Sequence, residues 1–295
     1  MTKRILKITA VLTLLCLSAA LLAACTGGKP QPSAGQKPLI VTTTDALYEI
    51  TRDLAGGLAE VSCLIPPGIE AHDYEPTPGD VERVRTASLV IRNGLGMDDW
   101  LDKITGATGG TVVLATQGLT PIVTPEGATD PHIWMSPKSA IGVCENVRDA
   151  LLAFFDGAAG AISTVTENAA ELISLIEGVS AQYSERLGEF GVDTIVTSHD
   201  AFGYVARDYG IRQVPIENIY AEGEPSARQM AELIDFVIAN NVKVILSEFT
   251  FSSAVADTLA RETGAEVRTV YTMEAAEDNM SYVTRLLGNL NAMCG

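Results

Sequence analysis

Between Ala161 and Phe190 the chain contains no proline, and Ile162, Val165, Ala169, Leu172, Ile176, Val179, Tyr183, Leu187 and Phe190 recur three or four residues apart. That spacing keeps them on one stripe of a single helix. At about 1.5 Å per residue such a helix is roughly 45 Å long, more than one small domain needs. The stripe therefore predicts a spine joining two lobes. The other reading it allows is a pair of ordinary helices broken near Gly178, although a mid-helix glycine costs only about 1 kcal/mol.

On either side of the stripe, strand-like and helix-like segments alternate, the pattern of parallel sheets with crossover helices. Before it, strands are predicted at Leu39 to Thr44, Glu60 to Ile65, Ser88 to Arg92 and Thr111 to Leu114. Asp45 is predicted to cap one helix and Thr77-Pro78 to open another, and a Thr-, Gly- and Pro-rich loop runs from Ala115 to Asp130. Ser136-Pro137 then caps a helix running toward Phe155. After the stripe come strands at Thr194 to Thr197, Arg212 to Ile216, Lys243 to Glu248 and Val267 to Tyr271, and a last helix from about Asn279 to Met293. Serines at Ser226 and Ser252-Ser253 precede the two helices between those strands. The expected fold class is α/β: two (β/α) lobes with parallel sheets, residues 38–157 and 191–295, joined by one long rigid helix over 158–190.

The chain has three histidines, and each lies where a strand-like run ends. His72 sits in Ala71-His72-Asp73-Tyr74-Glu75-Pro76, His132 in Asp130-Pro131-His132-Ile133-Trp134, and His199 in Ser198-His199-Asp200-Ala201-Phe202-Gly203-Tyr204. The carboxyl edge of an open α/β sheet is where such folds place ligands. A chain that uses histidine so rarely and always at this kind of position is expected to converge the three imidazoles on one metal ion. Asp73, Asp130 and Asp200 lie next to them or two residues away. They would orient the rings, add to the field that draws a cation, or simply be solvated.

Residues 1–24 read as a lipoprotein signal peptide: Lys3, Arg4 and Lys7 precede an apolar run, and Leu22-Ala23-Ala24-Cys25 closes it. Cys25 is the expected lipidation site, followed by a flexible tether over 25–37. The folded part is then extracytoplasmic, lipid-anchored to a bacterial cell membrane. The formal charge is -17, and loss of the leader's three charges leaves 17 basic against 37 acidic residues. Nucleic acid is excluded as a partner on that balance. Cys63, Cys144 and Cys294 remain as ordinary thiols, enough for one disulfide at most, and Cys63 and Cys144 read better as small buried apolar residues.

The three histidine motifs, together with Glu222-Gly223-Glu224-Pro225-Ser226 and Glu262-Thr263-Gly264-Ala265, stand in this order behind a lipobox. In that arrangement the chain closely resembles the zinc/manganese solute-binding lipoproteins of ABC importers, from Pro38 to Met293. The resemblance implies a metal site in the interlobe cleft, with His72, His132 and His199 as ligands. Many members carry an aspartate straight after the last strand, and the register from Gly264-Ala265 puts Tyr271 there. A phenol with a pKa near 10 is a poor substitute. Glu274, three residues on, resembles the glutamate that a zinc-binding subgroup, including laminin-binding lipoproteins, uses as fourth ligand. The other candidates for that position are a water molecule or Tyr271, with Glu274 then capping a helix.

Three imidazole nitrogens and one carboxylate suit Zn(II) better than Mn(II), which favours more oxygen donors. The loop before His132 lacks the His-rich insertion found in some zinc members. The expected function is capture of Zn(II) by a monomeric receptor that delivers it to an ABC permease, with small closure about a rigid helix. A Mn(II) receptor, a surface adhesin using the same fold, and a zinc hydrolase are the alternatives. Neither His-Glu-x-x-His nor Gly-x-Ser-x-Gly occurs, so no enzyme is expected.

Overall fold

A computed structural model describes residues 37–106, 108–125, 127–218, 220, 225–249 and 254–294. The signal peptide, Cys25, the tether up to residue 36, the Glu222-Gly223-Glu224 motif and Ser252-Ser253 lie outside the described residues. Among the described residues, no helix is long and apolar enough to cross a membrane.

The first sheet is built from β1 (Leu39–Thr42), β2 (Glu60–Cys63), β3 (Leu89–Arg92) and β4 (Thr111–Leu114), all parallel, in the order β2-β1-β3-β4. Its crossovers include α1 (Asp45–Ala55) and α2 (Pro78–Thr86). Two short antiparallel strands, β5 (Ile122–Val123) and β6 (Thr129–Asp130), then lead to α3 (Pro137–Phe154) and α4 (Ala159–Glu189). The second sheet comprises β7 (Thr194–His199), β8 (Arg212–Glu217), β9 (Val244–Glu248) and β10 (Glu266–Val270), again parallel, in the order β10-β9-β7-β8. Its helices are α5 (Gly203–Tyr209), α6 (Ala227–Ala239), α7 (Ala254–Thr263) and α8 (Tyr282–Cys294).

Side chains alternate across each sheet, as a period of two requires. Ile40, Leu89 and Ile91 face a central core, whereas Val41 and Val90 face a separate cluster with Leu64, Val84 and Leu101. In the second sheet Ile195 and Leu246 join the same central core, while Val196 and Ile245 pack outward with Val237 and Leu259. One core therefore runs through both sheets.

The axis of that core is α4, an unbroken helix of 31 residues. Val165, Leu172, Ile176, Val179, Tyr183 and Leu187 are buried along it. At about 1.5–3 kcal/mol for each large side chain, their burial outweighs the roughly 1 kcal/mol that Gly178 costs, which explains why the helix does not break there. Phe190 departs from the predicted stripe. The helix ends at Glu189, Gly191 turns left-handed with φ +63°, and the Phe190 ring is left exposed.

Smaller differences from the sequence expectation have local causes. Thr44, not Asp45, is the N-cap of α1; Asp45 is its first helical residue, and its carboxylate accepts from Arg285. Ser136 precedes α3 as predicted, but its hydroxyl donates to Asp208 of α5 rather than capping its own helix. The last helix starts at Tyr282 rather than Asn279, because Asp278 holds Met280 N–H in a turn. The three described cysteines are free thiols.

Candidate metal centre

The carboxyl edges of the two sheets, and the loops that leave them, bring His72, His132, His199 and Glu274 together. One ligand atom from each lies within 4.8 Å of all the others. His132, His199 and Glu274 are 0%, 2% and 4% exposed.

His199 is the last residue of β7, the strand flanked by β8 on one side and β9 on the other, the switch point of its sheet. Its Nδ1 is 2.5 Å from Oε1 of Glu248, the last residue of β9, which also accepts from Ser198 Oγ. His132 follows β6. Its Nδ1 is 2.8 Å from Asp130 Oδ1, which accepts the His132 backbone N–H as well. Asn93 Nδ2 donates to Pro131 O, and Tyr204 OH donates to Asp130 O, so both lobes hold this turn. Gly203 packs closely beside it: a Cβ there would lie 2.7 Å from Asp130 Oδ2, so the carboxylate that holds His132 would have to shift.

A carboxylate at Nδ1 obliges that nitrogen to carry the proton and leaves the Nε2 lone pair free for a metal. The Nε2 atoms face one another, at 3.1 Å for His72 to His132 and 3.4 Å for His199 to His132. Glu274 Oε1 lies 3.2 Å from His132 Nε2 and 3.6 Å from His199 Nε2. Zinc–nitrogen bonds of 2.0–2.1 Å imply tetrahedral edges of about 3.3 Å, close to these separations. Glu274 Oε1 is buried, and its one donor is a protonated His132 Nε2 at 3.2 Å; once that proton leaves, the oxygen is without a partner unless a cation takes its place.

His72 lies on the loop that Pro66-Pro67-Gly68 opens after β2. Tyr74 anchors the far end through its OH to Asp80 Oδ2. The His72 backbone N–H donates to Glu70, and its ring meets Tyr220 edge-on. Asp73 is exposed and Asp200 half-buried. Of the three aspartates singled out in the sequence, Asp130 is the one seen to orient an imidazole. The group that does this for His199 is Glu248, which sequence reasoning missed; a carboxylate ending an apolar strand was its only signal. Tyr271 stacks on Phe249, and its backbone is paired with the Asn289 side chain.

The charges in the site favour a cation at its centre. Burial opposes protonation of His132, but Asp130 and Glu274 outweigh it and push the imidazole up to about 10. Burial likewise opposes the Glu248 carboxylate at His199, and again the raising effect wins. For His72 burial dominates and brings the ring down to about 4. Burial would raise Glu274, yet the three imidazoles hold it well below the usual carboxylate range. At neutral pH a metal therefore finds His72 neutral and must displace the proton held at His132. We expect metal binding to release at least one proton, and affinity to rise about tenfold per pH unit between pH 6 and 8. Calorimetry in buffers of different ionisation enthalpy counts the protons; a pH-independent affinity would show His132 neutral.

Comparison with known proteins follows this geometry. Residues 40–294 match the family described as zinc-uptake complex component A, periplasmic. The chain belongs to that family. It is 31% identical to the high-affinity zinc uptake system protein ZnuA of Bacillus subtilis, over 92% of each chain. It is 32% identical to the iron-binding protein YfeA of Yersinia pestis, covering 88% of this chain and 85% of that one. Among solved structures, the laminin-binding protein of Streptococcus agalactiae, described as having adhesin and metal-transporting activity, aligns with a TM-score of 0.80. The identity there is 28%, covering 87% of this chain and 97% of the other. The zinc-uptake component A family consists of metal-binding transport receptors, not enzymes, and serves ABC importers outside the cytoplasm.

Proposed function

We propose that this protein captures Zn(II) through His72, His132, His199 and Glu274 and hands it to an ABC permease. The observation that carries the reading is the buried set of three inward-facing Nε2 atoms and one carboxylate, with one ligand atom of each within 4.8 Å of all the others. Its nitrogen-rich composition favours zinc over manganese, which prefers additional oxygens. The names of the zinc-uptake relatives support the same choice. The protein acts as a monomer tethered by lipid on Cys25, with lobes 38–157 and 191–295 flanking the helix at 158–190.

The test is a competition titration of the purified protein with zinc and manganese. One equivalent of zinc, held far more tightly than manganese, is the expected result. Preference for manganese or the absence of a stoichiometric metal would overturn the assignment.

A further inference from the structure

The segment between β10 and α8 carries Glu274, and a carboxylate outside the histidine cluster holds its backbone. Glu277 Oε1 accepts the Thr272 N–H at 2.8 Å, and its Oε2 accepts the Met273 N–H at 3.2 Å. These are the two amides immediately before Glu274. Met273 lies at φ +58° with its side chain fully buried in the common core. A non-glycine residue in that conformation persists only when its surroundings enforce it. On the other side of the turn, Met273 O and Glu274 O accept the N–H groups of Ala46 and Asp45 at the start of α1, each at 2.9 Å.

We propose that Glu277 is a positioning residue for the fourth ligand: by gripping both amides it holds Met273 left-handed, aims Glu274 at the histidines, and thereby completes the four-coordinate set. The proposal rests on the zinc-receptor reading. Its chemistry is specific to a carboxylate, because two separate oxygens must accept from two consecutive N–H groups. Glutamine has the same size and offers one acceptor; its amide NH2 would face the second N–H, donor against donor. The turn then loses one restraint, Met273 relaxes toward negative φ, and the Glu274 carboxylate withdraws. Zinc then loses its one anionic donor and is held more weakly, with water drawn into the open position.

The experiment uses the full chain, its Glu277→Gln and Glu277→Asp variants, and Glu274→Gln as a benchmark. Zinc and manganese affinities are measured by competition, Co(II) absorption reports coordination number, and thermal melting reports stability. For Glu277→Gln we expect a loss of about 10- to 100-fold in zinc affinity, typical of groups that orient a ligand. The intense four-coordinate Co(II) band of the parent should weaken as it does in Glu274→Gln. Aspartate restores two acceptor oxygens and should recover the band, which keeps the test decisive should the glutamine variant not fold. Parent-like zinc affinity in Glu277→Gln, weakened zinc binding with an unchanged Co(II) band, or an aspartate variant without the band would each overturn the proposal. A parent protein that binds neither zinc nor Co(II) would instead overturn the receptor reading, and this inference with it.

Discussion

His199→Ala is expected to lower zinc affinity by roughly 100- to 1,000-fold while leaving the fold intact. Binding free energies of about 10–16 kcal/mol for four-ligand zinc sites amount to about 2.5–4 kcal/mol per ligand, and each 1.4 kcal/mol is tenfold in affinity. The fold tolerates the change because Glu248, which loses its imidazole partner, still accepts from Ser198 Oγ at 2.8 Å. Competition against a chromophoric chelator measures the loss. An affinity within a few-fold of the parent would remove His199 from the ligand set, and with it the reason for placing the site between the sheets.

The second large effect concerns stability. Arg285 and Asp45 form an ion pair at 2.6 Å with side chains 1% and 4% exposed, joining the last helix to the first. Arg285 also donates to Asp278 and to Met280 O. Removing one partner of a buried pair strands the other's charge, so Arg285→Ala should lower the unfolding free energy by about 3–5 kcal/mol. The double variant Arg285→Met with Asp45→Ala should recover part of that loss, since the fully buried Asp45 charge is gone and only the less buried Asp278 still lacks its partner. Urea unfolding of the three proteins checks both statements. A loss below about 1 kcal/mol in the single variant would mean that Asp45 finds another cation or water.

Much of this arrangement was legible because local rules and tertiary structure agree. Rare histidines at strand ends, strands with small or turn-forming residues after them, and a long apolar stripe each carry their own physical signature. Contacts between distant segments leave none. Nothing near Glu248 announces His199, 49 residues away, and Arg285 is 240 residues from Asp45. The two-residue strands β5 and β6 are too short to show alternation, so their ribbon read as loop. The choice between Tyr271 and Glu274 was open in the sequence because counting along the chain assumes that it continues in one direction. The left-handed turn at Met273 breaks that assumption: Glu274 reaches the histidines, while the Tyr271 ring stacks on Phe249.

The core that runs through both sheets makes the two halves inseparable as building blocks. Ile40 and Leu47 from the first half share it with Ile195, Leu246 and Leu286 from the second, and α4 lends buried residues along its length to the whole. Cutting the chain between the sheets would strip apolar cover from each fragment at once. Neither lobe is therefore a module that could be transplanted or exchanged alone. The cluster of His72, His132, His199 and Glu274, drawn from four distant stretches of chain, forms only once the whole molecule has folded.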